Sequence, residues 1–201
     1  MLDIYVINLK ERVDRFEYIK NEFNNYNLNI IEAIKHNEGW KGCFKSHKKC
    51  IKIAIKKKLD FIIVMEDDCL KTKYFDDKIN EIINYLSNNK EKWDIFLGGV
   101  TCAYNEKNEL INKNIGLIKI NWGKTSHFTI YNSSCYNEIL NKEINISIDK
   151  CWYYTNLKII TVVPFISTQK EDYSNIENRI VNYNSRFNQS EKILLNNINF
   201  I

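Results

Sequence analysis

Short, almost wholly apolar runs alternate with amphipathic stretches through the first half of this chain, and that alternation restricts the fold more than any other feature. Ile4-Tyr5-Val6-Ile7 is β-branched and aromatic with no polar position, the pattern of a strand covered on both faces. A charged stretch over 11–24 follows, with Phe16, Ile19 and Phe23 at helical spacing. Residues 28–31 read as a second strand and 42–57 as a helix, and 61–65 are the strongest strand in the chain. Residues 76–86 place Ile79, Ile82, Ile83 and Leu86 on one helical face, and 93–97 form a further strand ended by Gly98-Gly99. This strand–helix rhythm predicts an α/β fold: a mostly parallel, Rossmann-like sheet with helices on both faces. The second half is less regular, with strands near 116–120, 127–131 and 159–163 and a helix near 134–140.

Nothing divides the 201 residues, so 1–201 reads as a single domain in which 177–201 form a C-terminal extension. Ile193, Leu194, Leu195, Ile198 and Phe200 give that extension an apolar stripe, read as a helix packed on the domain edge; a homodimer contact is the alternative. No apolar run approaches the ~20 residues of a membrane-spanning helix. The first residues lack a basic-then-apolar export pattern, so a cytoplasmic location is expected. Lys plus Arg number 29 against 25 for Asp plus Glu, a formal charge of +4. That balance suits a diphosphate ligand without demanding nucleic acid. Six cysteines without a C-x-x-C are expected as free thiols.

In open α/β sheets ligands bind beyond the carboxyl ends of the strands, which here means after Ile7, Met65 and Leu97. Glu66-Asp67-Asp68 follows Met65 directly. Three carboxylates against a buried strand repel one another unless a cation offsets them. Oxygen-only ligands suit Mn2+ or Mg2+; the competing reading is a solvated acidic turn. Alternation sends Glu66 and Asp68 to one side and Asp67 to the other. After the first strand, Asn8-Leu9 leads to Arg12 and Arg15, two guanidinium groups at a helix start where a diphosphate binds well. The plainer reading is a salt-bridged face with Glu11 and Asp14. Cys43, His47 and Cys50 share a helical face, but no fourth ligand at a familiar spacing supports zinc. His47 is then either a hydrogen-bonded core histidine or an active-site group.

These segments, in this order, resemble glycosyltransferase family 25, the lipopolysaccharide-biosynthesis and procollagen galactosyltransferase family. The matching residues are Val6-Ile7-Asn8-Leu9 with Arg12, Asp14 and Arg15; Gly42-Cys43 with Ser46-His47; and Val64-Met65-Glu66-Asp67-Asp68. More loosely, Thr125-Ser126-His127-Phe128, Ile148-Asp149, and Pro164, Gln169 and Ser174-Asn175-Ile176 fit its later motifs. Ile148 stands where the family usually has proline, and Phe128 close to where tyrosine is commoner. The resemblance implies a GT-A fold and a metal-dependent, inverting transfer of a hexose, galactose or glucose, from a UDP-sugar to a hydroxyl of a glycan or protein. Asp68 is then the expected metal ligand, with Glu66 or Asp67 assisting or holding the ribose. Asn8, Leu9, Arg12 and Arg15 belong to the donor site. Asp149 is the first candidate for the general base, His47 and His127 the second, and His127 is also a candidate metal ligand.

Two other classes compete. A metal-dependent phosphohydrolase or nuclease would use the same acidic cluster, with Asp94 and Asp149 as the other carboxylates for a second metal. A catalytically inert binding subunit on the same fold would have no reason to keep three crowded acids.

Overall fold

The computed structural model describes residues 1–104, 108–174, 176 and 179–198. The first half runs β1 (Asp3–Asn8), α1 (Val13–Glu22), β2 (Asn27–Glu32), α2 (Gly39–Lys57), β3 (Phe61–Glu66), β4 (Cys69–Lys71), α3 (Phe75–Asn88) and β5 (Ile95–Leu97). The second half runs β6 (Glu109–Asn112), β7 (Leu117–Lys119), β8 (Phe128–Asn132), α4 (Tyr136–Asn141), α5 (Ile148–Cys151), β9 (Ile159–Val162), β10 (Ser167–Gln169), β11 (Asp172–Ser174), β12 (Arg179–Val181) and α6 (Asn184–Ile198).

Eight strands form one sheet in the order β2-β1-β3-β8-β5-β9-β7-β6. β1 pairs in parallel with β2 and β3, and β5 with β9, while β8 and β7 run against their neighbours. The sheet is therefore mostly parallel in direction, as the alternation predicts. Two ribbons, β4 with β10 and β11 with β12, stand outside it.

Pleating sends alternate residues of each strand to different cores. Tyr5, Ile7, Ile62 and Val64 face the core under α2, with Phe44, Ile51 and Ala54. Ile4, Val6, Ile63 and Met65 face the opposite core, with Ile19 and Phe23 of α1 and Phe75, Ile79, Ile82 and Leu86 of α3. Phe75 meets Phe23 and Phe128 edge-on at 5.3 Å each, pairs contributing roughly 1 kcal/mol apiece beyond the area they bury. Helices thus cover both faces. Among the described residues, no helix is long and apolar enough to cross a membrane.

Several boundaries differ from expectation for identifiable reasons. α2 begins at Gly39, a turn before Gly42. Gly42 therefore lies within the helix, and the position needs glycine because a Cβ there would run into the carbonyl oxygen of Ile34. Trp93 is not in the strand; its buried indole donates to the Leu86 carbonyl at 2.9 Å, satisfying an orphan acceptor at the end of α3. The C-terminal helix starts at Asn184, before the apolar stripe, and sinks Phe187 and Leu194 into the core beneath α2, with Leu195 on its outer side. Phe200 of the expected stripe lies outside the described residues. All six cysteines are free.

Candidate functional site

The sheet delivers the acidic triplet to its carboxyl edge, where each carboxylate meets different neighbours. Glu66, last residue of β3, accepts from Ser126 Oγ at 2.5 Å and lies 3.5 Å from His47 Nε2 and 3.8 Å from Cys43 Sγ. Burial pushes its pKa up, but the hydrogen bonds from His47 and Ser126 prevail and hold it below the usual carboxylate value. Asp67 turns toward β1 and α1, accepting from Asn8 Nδ2 at 2.8 Å and from Arg15 Nη1 at 2.7 Å. Burial still raises its pKa.

Asp68 is the least satisfied of the three. Its contacts are long, 3.4 Å to Arg15 Nη1 and 3.5 Å to Gln169 Nε2. Burial, reinforced by the charge on Glu66, pushes its pKa up to about 7. The turn that carries it is pinned by the Lys170 amide, which donates to the Asp68 carbonyl at 2.8 Å, and by the β4–β10 ribbon.

Two cavities open beside these carboxylates. The first, about 430 Å³, lies at the ends of β1 and β2 and the start of α2, among Leu9, Arg15, Ala33, His36 and Gly42. The second, about 350 Å³, is lined from the other side by Trp40, Lys124, Thr125, Asp149, Tyr183 and Arg186. Cys43, Glu66, Asp68, Ser174 and Ile176 line both. Asp67 lines only the first, and Asp149 only the second. Asp149 accepts from Ser147 Oγ at 2.5 Å, from the Lys150 amide at 2.9 Å and from the Thr125 amide at 3.2 Å.

The two arginines part company. Arg15 lines the first cavity and is gripped by Asp67, Asp68 and Asp172 and by the Tyr173 carbonyl. Arg12 lines neither cavity; it chelates Asp14 and reaches Asp172 at 2.7 Å, tying α1 to the β11–β12 ribbon. The salt-bridge reading therefore describes Arg12, although Glu11 pairs with Lys35 instead. Asn8, also outside both cavities, braces Asp67, while Leu9 lines the first.

His47 and His127, the two candidate histidines, are fully buried and line neither cavity. His47 sits well inside α2, with Nδ1 2.9 Å from Tyr131 Oη and Nε2 toward Glu66. His127 Nε2 lies 3.0 Å from Ser167 Oγ, its ring meets Phe187 edge-on at 5.3 Å, and burial lowers its pKa to about 4. The cysteine–histidine cluster also differs from expectation. Cys50 packs into the core, and Glu66 takes its place beside Cys43 and His47, the three ligand atoms lying within 4.8 Å of one another. Burial raises the Cys43 thiol well above its ordinary value, so it serves here as a weak donor to Glu66. Asp94 stands before β5, at the opposite end of the sheet, where Ser134 Oγ and the Lys158 amide satisfy it.

Sequence reasoning missed Asp172, Lys124 and Arg186. Each is a lone charge with no local pattern, and only the folded chain brings it to the site.

No protein-family profile matches the chain, and no curated protein matches it. Solved structures match in fold. A197 from STIV aligns with a TM-score of 0.55 at 13% identity, over 90% of this chain and 93% of that one. A glycosyltransferase involved in glycosylation of the major capsid of PBCV-1 aligns with a TM-score of 0.52 at 10% identity, over 94% and 98%. An apo UDP-glucose pyrophosphorylase aligns more remotely, with a TM-score of 0.46 at 10% identity, over 98% and 79%. The mixed α/β fold is thus one shared with a glycosyltransferase.

Proposed function

We propose that this chain is a metal-dependent, inverting glycosyltransferase of GT-A type, akin to glycosyltransferase family 25, that moves galactose or glucose from a UDP-sugar to a hydroxyl of a glycan or protein. The observation that carries this reading is the position of Asp68. It is a largely buried, poorly paired carboxylate at the junction of two cavities, one suited to each substrate. Oxygen donors from Asp68 and Glu66 fit Mn2+ or Mg2+. Those two carboxylates would hold the cation, which would supply countercharge for a departing diphosphate.

The chain's own groups supply the rest. The first cavity takes the nucleotide: Leu9, Ala33 and Ile34 give apolar walls for the base, Asp67 lies within reach of the ribose, and Arg15 faces the diphosphate. The second takes the acceptor. Asp149, positioned by three neutral donors, takes the proton from the acceptor hydroxyl as its oxygen bonds to the anomeric carbon and the bond to the diphosphate breaks. His47, through Tyr131 on one side and Glu66 on the other, positions a carboxylate rather than touching substrate. A two-metal phosphohydrolase is disfavoured because Asp94 stands at the wrong end of the sheet.

The test combines binding with product analysis. UDP-glucose or UDP-galactose is expected to raise the melting temperature only with Mn2+, by mass action on the native state, and to yield UDP on turnover. Release of pyrophosphate from UTP and a sugar 1-phosphate would replace glycosyl transfer with nucleotidyl transfer. Absence of any Mn2+-dependent response would remove the reading.

A further inference from the structure

Lys124, Lys150 and Arg186 all line the second cavity, and none makes an ion pair with a carboxylate among the described residues. Lys124 is partly buried, whereas Lys150 and Arg186 are exposed, so the three give the cavity a positive lining open to solvent. The contrast with the first cavity is direct: Arg15 there is held by three carboxylates.

Asp149 does not account for these cations. Its three hydrogen bonds come from two backbone amides and a serine hydroxyl, and among the described residues no ammonium or guanidinium lies within ion-pair distance of it. The cations nonetheless surround it in the chain: Lys124 precedes the residue whose amide holds Asp149, and Lys150 follows it. Arg186 projects from the first turn of α6, its guanidinium 5.4 Å from the ring of Tyr183, another residue of the same cavity. A guanidinium steadied against an aromatic ring offers a planar fork that matches the oxygens of a phosphate or carboxylate.

Building on the glycosyltransferase reading, we propose that the acceptor is an acidic sugar. Its phosphate or carboxylate is held by Lys124, Lys150 and Arg186 while the neighbouring hydroxyl meets Asp149. A neutral acceptor makes no use of these three cations; an anionic one gives them a counter-charge and fixes which hydroxyl faces the base. Glu66, Asp68 and Asp149 line the same cavity and repel an anion, so the acidic group seats on the cationic side chains and away from those carboxylates.

The experiment titrates the full chain, saturated with UDP and Mn2+ so that the first cavity is filled, with glucose 6-phosphate, glucuronate and methyl glucoside by calorimetry. The phosphate and the carboxylate are expected to bind at least about tenfold more tightly than the neutral sugar, the scale of one charge-assisted hydrogen bond. Comparison of the two acids shows which group the site prefers. Lys124→Gln is expected to erase the difference while binding UDP as the parent does; Arg186→Gln, on another element, repeats the test should Lys124→Gln fold poorly. Equal binding of charged and neutral sugars, or weakened UDP binding with an intact preference for acids, overturns the proposal. Failure of UDP and Mn2+ to bind at all is a separate result: it removes the transferase reading, and the sugar titrations then judge the anion site alone.

Discussion

Arg15 donates to Asp67 at 2.7 Å across 52 positions of sequence, joining the helix after the first strand to the turn after the third. Both side chains are about nine-tenths buried, and Asp68 and Asp172 share the same guanidinium. One cation therefore holds the acidic turn, the first helix and the β11–β12 ribbon together.

Replacing it should be costly. Arg15→Met leaves buried carboxylates without their counter-charge and is expected to lower stability by about 3 kcal/mol at neutral pH, read by urea unfolding. The deficit should shrink as the pH falls, because Asp67 and Asp68 already hold their protons more readily than ordinary carboxylates. A loss independent of pH would show that Arg15 acts through packing alone.

If Asp68 ligates the metal as proposed, its titration makes metal binding pH-dependent. With its pKa pushed up to about 7, the native state holds a proton that the unfolded chain has released, so the metal-free fold loses stability as the pH rises from the ordinary aspartate range to about 7. Mn2+ displaces that proton, and its affinity is therefore expected to climb between about pH 6 and pH 8. Asp68→Asn should abolish Mn2+-dependent stabilisation by UDP while leaving the metal-free melting temperature at about pH 8 equal to or above the parent's. Retained metal dependence in that variant would move the cation elsewhere.

Asp149→Asn keeps the shape of the side chain but not its basicity. It is expected to bind UDP with Mn2+ as the parent does and to lower the transfer rate by about a hundredfold or more, measured as UDP release with acceptor present. Unchanged transfer would reassign the base.

His127 sets part of the acid limit of stability. Burial holds its pKa near 4, against about 6.5 for an exposed histidine, so the unfolded chain takes up a proton in that window and the native state does not. Stability contributed by the neutral ring is present above about 6.5 and lost as the pH falls toward 4. His127→Gln should flatten that part of the stability–pH curve, as checked by urea unfolding across the range.

Gly99 is a close-approach glycine. A Cβ there would collide with the Ser167 backbone carbonyl and press on Phe165. Gly99→Ala is expected to cost about 3 kcal/mol of stability, because backbone cannot step aside as a flexible side chain can. A neutral effect in denaturant titration would show that β10 is free to shift.

Hydropathy spacing along the chain was sufficient to reveal the strand–helix alternation, the two-sided cover of the sheet and the acidic triplet at the end of β3, because each depends on residues a few positions apart. Tertiary structure decided which charges meet. Arg12 finds Asp172 across 160 positions, Gln169 reaches back to Asp68 through the β4–β10 ribbon, and α6 brings Arg186 to the second cavity. It also buried His47 and His127, whose neighbours in sequence look the same whether a ring faces a cavity or a core. Periodicity is a local property of a chain, whereas the surroundings of a titrating group are set by strand register and by helices packed from distant segments, and no spacing rule encodes them.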